Sequence, residues 1–373
     1  MASHPDVIVI GAGLVGAAIA DGLAEAGSAV TVLESAFAGG GSTGAAMGHL
    51  VVMDDSPAQM ALCVHSRQRW EGWLDEFPED VEADRCGTLW VAADAAELDA
   101  AAGKLALYRA RGVAAELLDE GQLRSAEPAL RVGLAGALRV PGDAVCYPPA
   151  VARHLLDRAR RRGAIVKPGE AVAVEPGRVT LQDGTVMNAG TVVVAAGPRS
   201  AALIPGLPVV PRRGHLAITE RRPGLVRHQL VELGYLHSAH TMGGASVAFN
   251  VQPRRTGQLL VGSSRELVGF DGTINRPLLG RMLARASDFV PGLATLPVLR
   301  IWVGFRPATP DSLPLIGPWH PLAGVWIATG HEGLGITMAP GTADLIVAGI
   351  TGGTAPLDAT PYAPTRTIHE GGG

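Results

Sequence analysis

The sequence predicts an α/β fold in which a parallel sheet is joined to a second, antiparallel sheet. Residues 7–10 form a short apolar run, which is followed by a glycine-rich turn, a helix-length stretch and a second apolar run at 29–33. Strand, turn, helix and strand in this order form a right-handed βαβ unit with parallel strands. Residues 211–299 instead contain short β-rich runs separated by turn signals, which is typical of antiparallel strands.

Composition and charge exclude several classes of protein. The chain has 373 residues, of which 47% are hydrophobic, enough for two domains with substantial cores. Its 31 basic and 35 acidic residues give a net charge of −4 without long runs of one sign, which argues against a nucleic-acid partner. No apolar stretch is as long as a membrane span, and the segment before Val7 is not a basic leader. We therefore expect a cytoplasmic protein.

The cysteines do not indicate a metal centre. Cys63, Cys86 and Cys146 lack the paired spacing of iron–sulfur or zinc ligands. We expect three reduced thiols and no metal site.

A glycine motif follows the first predicted strand. Gly11, Gly13 and Gly16 form a GxGxxG pattern that also includes Leu14 and Val15 and opens the predicted helix. In this context the first glycine permits a tight turn, the second lets the backbone approach a pyrophosphate, and the third permits close packing of helix and strand. The motif predicts a Rossmann-type dinucleotide site with the phosphates at a helix N-terminus.

An acidic residue follows at the expected distance. Glu34 ends the second strand 23 residues after Gly11, where its carboxylate can accept hydrogen bonds from ribose hydroxyls and disfavours NADP. The alternative is a turn glutamate that faces water. These residues alone do not separate FAD from NAD. Residues 38–48, rich in glycine and small side chains, predict a loop that brings backbone close to a ligand.

Several segments together resemble one family. In chain order these are residues 6–16, the small-residue loop 41–48, the strand 192–197, the segment 302–317 with its pattern GxRPxTPDxxPxIG, and the GHxxxG segment at 330–337. They resemble the FAD-dependent amino acid oxidase family, which includes D-amino acid oxidase, glycine oxidase and sarcosine oxidase. The resemblance extends from residue 6 to about 350 and implies FAD rather than NAD.

The resemblance also implies a division into domains and a set of cofactor contacts. The FAD-binding domain is expected to comprise residues 1–80, 140–210 and 300–373, and the substrate domain residues 81–139 and 211–299. Gly304 occupies the position of the flavin-linking cysteine of monomeric sarcosine oxidase, so FAD should be bound non-covalently. The expected FAD contacts are Gly11, Gly13, Leu14, Val15, Gly16, Glu34, Ser42, Thr43, Gly48, His49, Val172, Ala196, Gly197, Gly304, Arg306, Gly333, Leu334, Gly335, Ile336 and Thr337.

Two side chains are candidates for direct contact with substrate. Backbone amides of residues 333–340 would face the flavin's pyrimidine side, whereas Gly48 and His49 would lie near its N5 edge, with His49 a candidate general base. Arg306 is the predicted clamp for a carboxylate. The alternative for Arg306 is an ion pair with Asp311.

Three positions depart from the family pattern. Asn250 stands where glycine oxidase has a tyrosine that helps to hold the carboxylate, and His215 replaces the usual glutamine of the crossing between domains. The arginine of the GHxRNG variant is missing from residues 331–334. Arg306 is therefore the remaining anion clamp.

The resemblance implies oxidation of a small amino or imino acid, of the D-amino acid or D-hydroxyproline type, to the imine. Electrons would pass to oxygen or to an electron-transfer partner subunit. Three alternatives remain: a glycine- or sarcosine-type oxidase that produces hydrogen peroxide, a flavin-binding subunit of a heteromeric dehydrogenase that is inactive alone, and an NAD-dependent reductase. The last leaves residues 41–48 and 302–337 without a cofactor role.

Overall fold

The computed structural model describes residues 6–53, 55–234 and 245–368. The helices are α1 (Leu14–Glu25), α2 (Gly41–Gly44), α3 (Pro57–Glu76), α4 (Ala95–Ala110), α5 (Glu120–Ala126), α6 (Pro148–Arg161), α7 (Ser200–Leu203), α8 (Arg276–Phe289) and α9 (Gly335–Thr351). The strands are β1 (Val7–Ile10), β2 (Val30–Glu34), β3 (His49–Leu50), β4 (Thr88–Ala92), β5 (Glu116–Asp119), β6 (Gly136–Val140), β7 (Ala144–Val145), β8 (Ile165–Pro168), β9 (Ala171–Glu175), β10 (Arg178–Leu181), β11 (Val186–Asn188), β12 (Thr191–Val194), β13 (Val210–Thr219), β14 (Gln229–Glu232), β15 (Ser246–Pro253), β16 (Leu259–Arg265), β17 (Val298–Ala308), β18 (Leu315–Pro318) and β19 (Val325–Thr329).

The first sheet has six strands in the order β18-β19-β12-β1-β2-β8. Its neighbours run parallel except for β18, which pairs antiparallel with β19. The whole of β1 is buried because both faces of the sheet are covered: Val7 and Val9 pack in the cluster that includes α1, α6 and α9, while Ile8 and Ile10 pack with the small sheet of β9, β10 and β11. The predicted βαβ unit is confirmed.

The second sheet has eight strands in the order β17-β13-β16-β15-β14-β4-β6-β5, antiparallel except where β14 meets β4. Side chains alternate between its faces, so each face has its own core. Leu89, Val251 and Phe249 pack with α8 on the outer face. Trp90 and Leu138 on the opposite face belong to the same core as α1, α3 and α9. One face of the second sheet therefore lies against the first part of the molecule.

The predicted fold class, α/β with a separate antiparallel sheet, is confirmed by this architecture. The predicted division into domains stays a prediction, and its boundaries at 139/140, 210/211 and 299/300 fall inside the strands β6, β13 and β17. Residues 300–308, assigned to the FAD-binding part, belong to β17, which pairs with β13 in the second sheet. The sequence predicts a loop without a packed element at 38–48. The structure instead forms the one-turn helix α2 within this segment, and the next element, β3, begins after it. Among the described residues, no helix is long and apolar enough to cross a membrane.

Candidate cofactor and substrate site

The glycine motif forms a tight turn between β1 and α1. Gly11 has φ +107°, and a Cβ atom there would lie 2.5 Å from the carbonyl oxygen of Ala195, while one on Gly16 would lie 2.0 Å from the carbonyl oxygen of Gly11. Neither position therefore tolerates a side chain. Helix α1 begins at Leu14 without a side-chain cap from Gly13, so amides of its first turn point out of the helix end. This arrangement fits a pyrophosphate.

Glu34 organises the same turn from the end of β2. Its Oε2 accepts a hydrogen bond of 2.8 Å from the N–H of Ala12, and its Oε1 accepts one of 2.9 Å from the N–H of Ala36. A carboxylate has about four lone-pair positions, so both oxygens keep capacity for further donors. Glu34 is half-buried rather than a turn residue free in water. It can hold the glycine turn and accept from ribose hydroxyls at the same time.

The segment around α2 connects the glycine turn to the second sheet. Thr43 Oγ1 accepts the N–H of Leu14 at 3.0 Å, and Ser42 Oγ donates to the carbonyl oxygen of Phe305 at 2.5 Å. A Cβ atom on Gly304 would lie 2.5 Å from the Cβ of Ala45. The small residues at 42–45 and at 304 therefore let α2 and β17 approach closely.

The segment that follows β12 also reaches this region, although β12 itself ends at Val194. The carbonyl oxygen of Ala195 lies against Gly11, and Gly197, with φ +55°, would place a Cβ atom 3.7 Å from Ser42 Oγ. Ala196, predicted to contact FAD, lies between these two residues. The structure thus brings together the predicted residues of four segments that are far apart in sequence.

The N-terminus of α9 is fixed beside β3. Thr337 Oγ1 donates to the carbonyl oxygen of His49 at 3.0 Å and accepts the N–H of Val51 at 3.2 Å. Gly48 has φ +97°, and a Cβ atom there would lie 2.0 Å from the carbonyl oxygen of Cys146. Helix α9 begins at Gly335 without a side-chain cap from Leu334. Its free amides fit a group that gains negative charge, such as the pyrimidine end of a reduced flavin.

His49 is a weak base in this environment. Burial lowers the pKa of its imidazole to about 3, and the nearby side chain of Gln252 offsets the effect only in part. Nε2 of His49 has no hydrogen-bond partner within the described ranges. A group with this pKa is neutral at physiological pH and is poorly matched to proton abstraction, which argues against the predicted role of general base.

Arg306 lies on β17 with its guanidinium next to two of the predicted segments. Its Nη1 donates to the carbonyl oxygen of Ser264 at 3.0 Å. A Cβ atom on Gly214, the strand neighbour of Gly304, would lie 2.3 Å from the same nitrogen, and one on Gly333 would lie 3.7 Å from Nε. Glycines at 214 and 333 therefore leave the space that the guanidinium occupies.

The alternative ion pair between Arg306 and Asp311 is absent. The Asp311 carboxylate accepts two hydrogen bonds of 2.8 Å from Arg366. Burial raises the pKa of Asp311, but the Arg366 pairing outweighs it and leaves the pKa below its usual value. The fold thus gives Asp311 a different partner, near the C-terminal end of the described chain.

Further charged side chains, Glu332, Arg212 and Arg265, lie around Arg306. Glu332 lies 3.6 Å from Arg212 Nη1 and 3.5 Å from Arg265 Nε, and the three arginines lower its pKa despite burial. Sequence reasoning missed this cluster, although Arg212 faces Arg306 directly in the β13–β17 register. Three guanidinium groups around one carboxylate leave the region positively charged, which suits an anion.

Two other residues singled out in the sequence, Val172 and His215, have different surroundings. Val172 is on β9 and is 48% exposed, and its backbone contact to adenine stays a prediction. His215 is fully buried, where Nδ1 lies 2.9 Å from Ser264 Oγ and Nε2 accepts the N–H of Asn275 at 3.0 Å. These bonds give His215 a structural role between β13, β16 and the start of α8.

Comparisons with known proteins identify the family of the chain. Residues 6–348 match the DAO family, described as FAD dependent oxidoreductase. Glycine oxidase of Pseudomonas aeruginosa is 27% identical over 97% of this chain and 99% of its own length, and D-amino acid dehydrogenase of Methylobacterium nodulans is 30% identical over 93% and 95%. The crystal structure of glycine oxidase from Geobacillus kaustophilus has a TM-score of 0.88 and 26% identity, covering 98% of this chain and 100% of that one. The chain belongs to the DAO family of FAD-dependent oxidoreductases.

Proposed function

We propose that the chain oxidises the C–N bond of a small amino or imino acid, of the D-amino acid or D-hydroxyproline type, to the imine. Non-covalently bound FAD would supply the hydride acceptor, flavin N5, for this oxidation. The observation that carries the proposal is Arg306, whose guanidinium lies between β16 and the loop before α9 and is not paired with Asp311. A bidentate guanidinium fixes the orientation of a carboxylate and therefore of the carbon next to it.

The chain's own residues would divide the work between two ends of the site. Arg306, in a positively charged region with Arg212 and Arg265, would bind the substrate carboxylate. Gly48 and the neutral His49 would border the reacting C–N bond, where small or uncharged groups leave the hydride path open. The substrate's amine would reach the site as the free base, since no group in this arrangement is a suitable proton acceptor.

The names of the relatives support an amino acid substrate and are compatible with two kinds of electron acceptor, oxygen and a partner subunit. Both glycine oxidase and D-amino acid dehydrogenase are similar over nearly the whole chain. Hydrogen cyanide synthase subunit HcnC of Pseudomonas aeruginosa, a subunit by its name, is 31% identical over 67% of this chain. We propose a dehydrogenase that passes electrons to a partner subunit. Its alternatives are an oxidase that produces hydrogen peroxide and a flavin-binding subunit that is inactive alone.

The test is anaerobic reduction of the purified flavoprotein by D- and L-amino acids, glycine, sarcosine and D- and L-proline derivatives. We expect bleaching of the visible flavin absorbance by small amino or imino acids and none by simple amines. Peroxide release on readmission of air would identify an oxidase, and its absence with continued dye reduction would identify a dehydrogenase. A flavoprotein that none of these compounds bleaches would contradict the proposed reaction.

A further inference from the structure

A row of polar side chains lies on the inner face of the second sheet. Asn250 and Gln252 on β15 pair with Gly262 and Leu260 on β16. Leu260 packs against Met47, the residue before Gly48, whereas Phe249 and Val251, the residues on either side of Asn250, point to the opposite core. By alternation, the side chains of Asn250 and Gln252 are therefore on the face turned toward Gly48 and His49.

The amide of Gln252 is buried without a hydrogen-bond partner. The residue is 0% exposed, and its amide approaches the His49 side chain as a hydrogen-bonding group, yet neither its Nε2 nor its Oε1 completes a hydrogen bond of good geometry in the part of the chain that the structure describes. Buried amide groups are almost always paired, because leaving one unpaired costs about 1–3 kcal/mol. A buried amide in which neither polar atom completes a hydrogen bond indicates that a ligand or water completes it when the site is filled.

Two neighbours share this property. Asn250 Oδ1 and His49 Nε2 are also buried without partners among the described residues, and Gln252 lies close enough to the His49 ring to affect its pKa. All three side chains are uncharged, so they differ from the cationic region around Arg306. The set offers both hydrogen-bond donors and acceptors. A hydroxyl group, which donates and accepts, complements such a set, whereas a carboxylate only accepts and an ammonium only donates.

We propose that Gln252, Asn250 and His49 recognise a hydroxyl group on the side chain of the substrate. The inference rests on the proposed function, in which Arg306 holds the carboxylate, and it names the substrate class as hydroxylated amino or imino acids. Because a site built to bond a hydroxyl leaves its own polar groups unpaired when that hydroxyl is missing, it discriminates strongly against the unsubstituted analogue. Gln252 is thus a determinant of specificity.

The test compares matched substrates with the purified flavoprotein. The kcat/KM for flavin reduction is measured for 4-hydroxy-D-proline in both C4 configurations against D-proline, and for D-serine against D-alanine. We expect the wild type to prefer the hydroxylated member of at least one pair by about tenfold or more. Gln252→Leu, which keeps the side-chain volume but removes both polar atoms, should lower that ratio by about tenfold or more.

Gln59→Leu is the matched control. Gln59 is also buried, at 3% exposure, but its Oε1 already accepts the N–H of Asp55, and it lies on α3 rather than on the second sheet. Its replacement should leave the ratio within about twofold of wild type. If Gln252→Leu loses FAD or fails to fold, the ratio is measured with Asn250→Ala, whose position is only half-buried.

The outcomes separate this inference from the proposed function. A wild type that reduces with both members of every pair at similar kcat/KM, or a Gln252→Leu ratio equal to that of wild type, would overturn the hydroxyl site and leave the amino acid reaction intact. Reduction by neither member of any pair, nor by any other amino acid, would overturn both.

Discussion

Replacing Arg306 by alanine tests the carboxylate clamp. We expect Arg306→Ala to retain its fold and FAD, because the protein contact that the guanidinium loses is one hydrogen bond to the Ser264 carbonyl, worth about 0.5–1.5 kcal/mol. Glu332 keeps Arg212 and Arg265 as partners, so no buried carboxylate is left uncompensated. The loss should therefore appear in catalysis rather than in stability.

The expected magnitude follows from what the substrate loses. Removing one partner of a buried, hydrogen-bonded charge pair costs about 2–5 kcal/mol. At about 1.4 kcal/mol for each factor of ten, kcat/KM should fall roughly 30-fold to several thousand-fold. Arg306→Lys should recover only part of the loss, because an ammonium cannot hold both carboxylate oxygens in one plane.

Anaerobic stopped-flow reduction of the flavin is the assay, and Arg300→Ala is the control. Arg300 lies on the same strand but is exposed and stacks on Trp302, with its guanidinium carbon 5.4 Å from the ring centre. Its removal should change kcat/KM by no more than about twofold. Unchanged kinetics of Arg306→Ala toward amino acids would refute the clamp, as would an equal loss with an amine substrate that lacks a carboxylate.

Three further predictions concern the cofactor, the acceptor and acid stability. Gly13→Val should yield protein without FAD, because a Cβ atom there lies 3.2 Å from Thr43 Oγ1 and in the expected phosphate path; full FAD content after gel filtration would refute this. NAD should not oxidise the reduced flavin directly, as monitored by NADH absorbance. Asp311 has a lowered native pKa, so its stabilisation is present above the unfolded value of about 4 and is lost as pH falls through the native pKa. Melting temperatures of wild type and Asp311→Asn should therefore differ at pH 7 and converge at low pH; a constant gap would contradict this reasoning.

The sequence predicted the parts of the site that depend on backbone geometry. Gly11, Gly16 and Gly48 each occupy positions where a Cβ atom would overlap a carbonyl oxygen, and such constraints leave glycine in the sequence wherever they occur. The same holds for the βαβ unit, since an apolar run, a glycine turn and a helix-length stretch are all local signals. Local constraints can be recognised without knowing the rest of the fold.

The polar groups of the site could not be assigned in this way. Asp311 lies close to Arg306 in sequence but pairs with Arg366, 55 residues further along the chain. The sequence around Arg306 contains no signal of this pairing. The low pKa of His49 depends on how completely other elements bury it. Gln252 follows Asn250 by two residues, which is the one signal in the sequence that both share a face of a strand.

Thr337 illustrates why the site and the fold are interdependent. Its hydroxyl bonds both the carbonyl of His49 and the N–H of Val51, 288 and 286 residues away in sequence, and so holds the start of α9 against β3. Thr43 similarly joins α2 to the start of α1. The N-termini of α1 and α9 are both expected to face the cofactor, and a threonine ties each of them to the segment 43–51. Thr43 belongs to that segment and bonds the start of α1, whereas Thr337 belongs to α9 and bonds the segment. Because that segment also contains Gly48 and His49, a shift in its position would move the phosphate end and the reactive end of the site together.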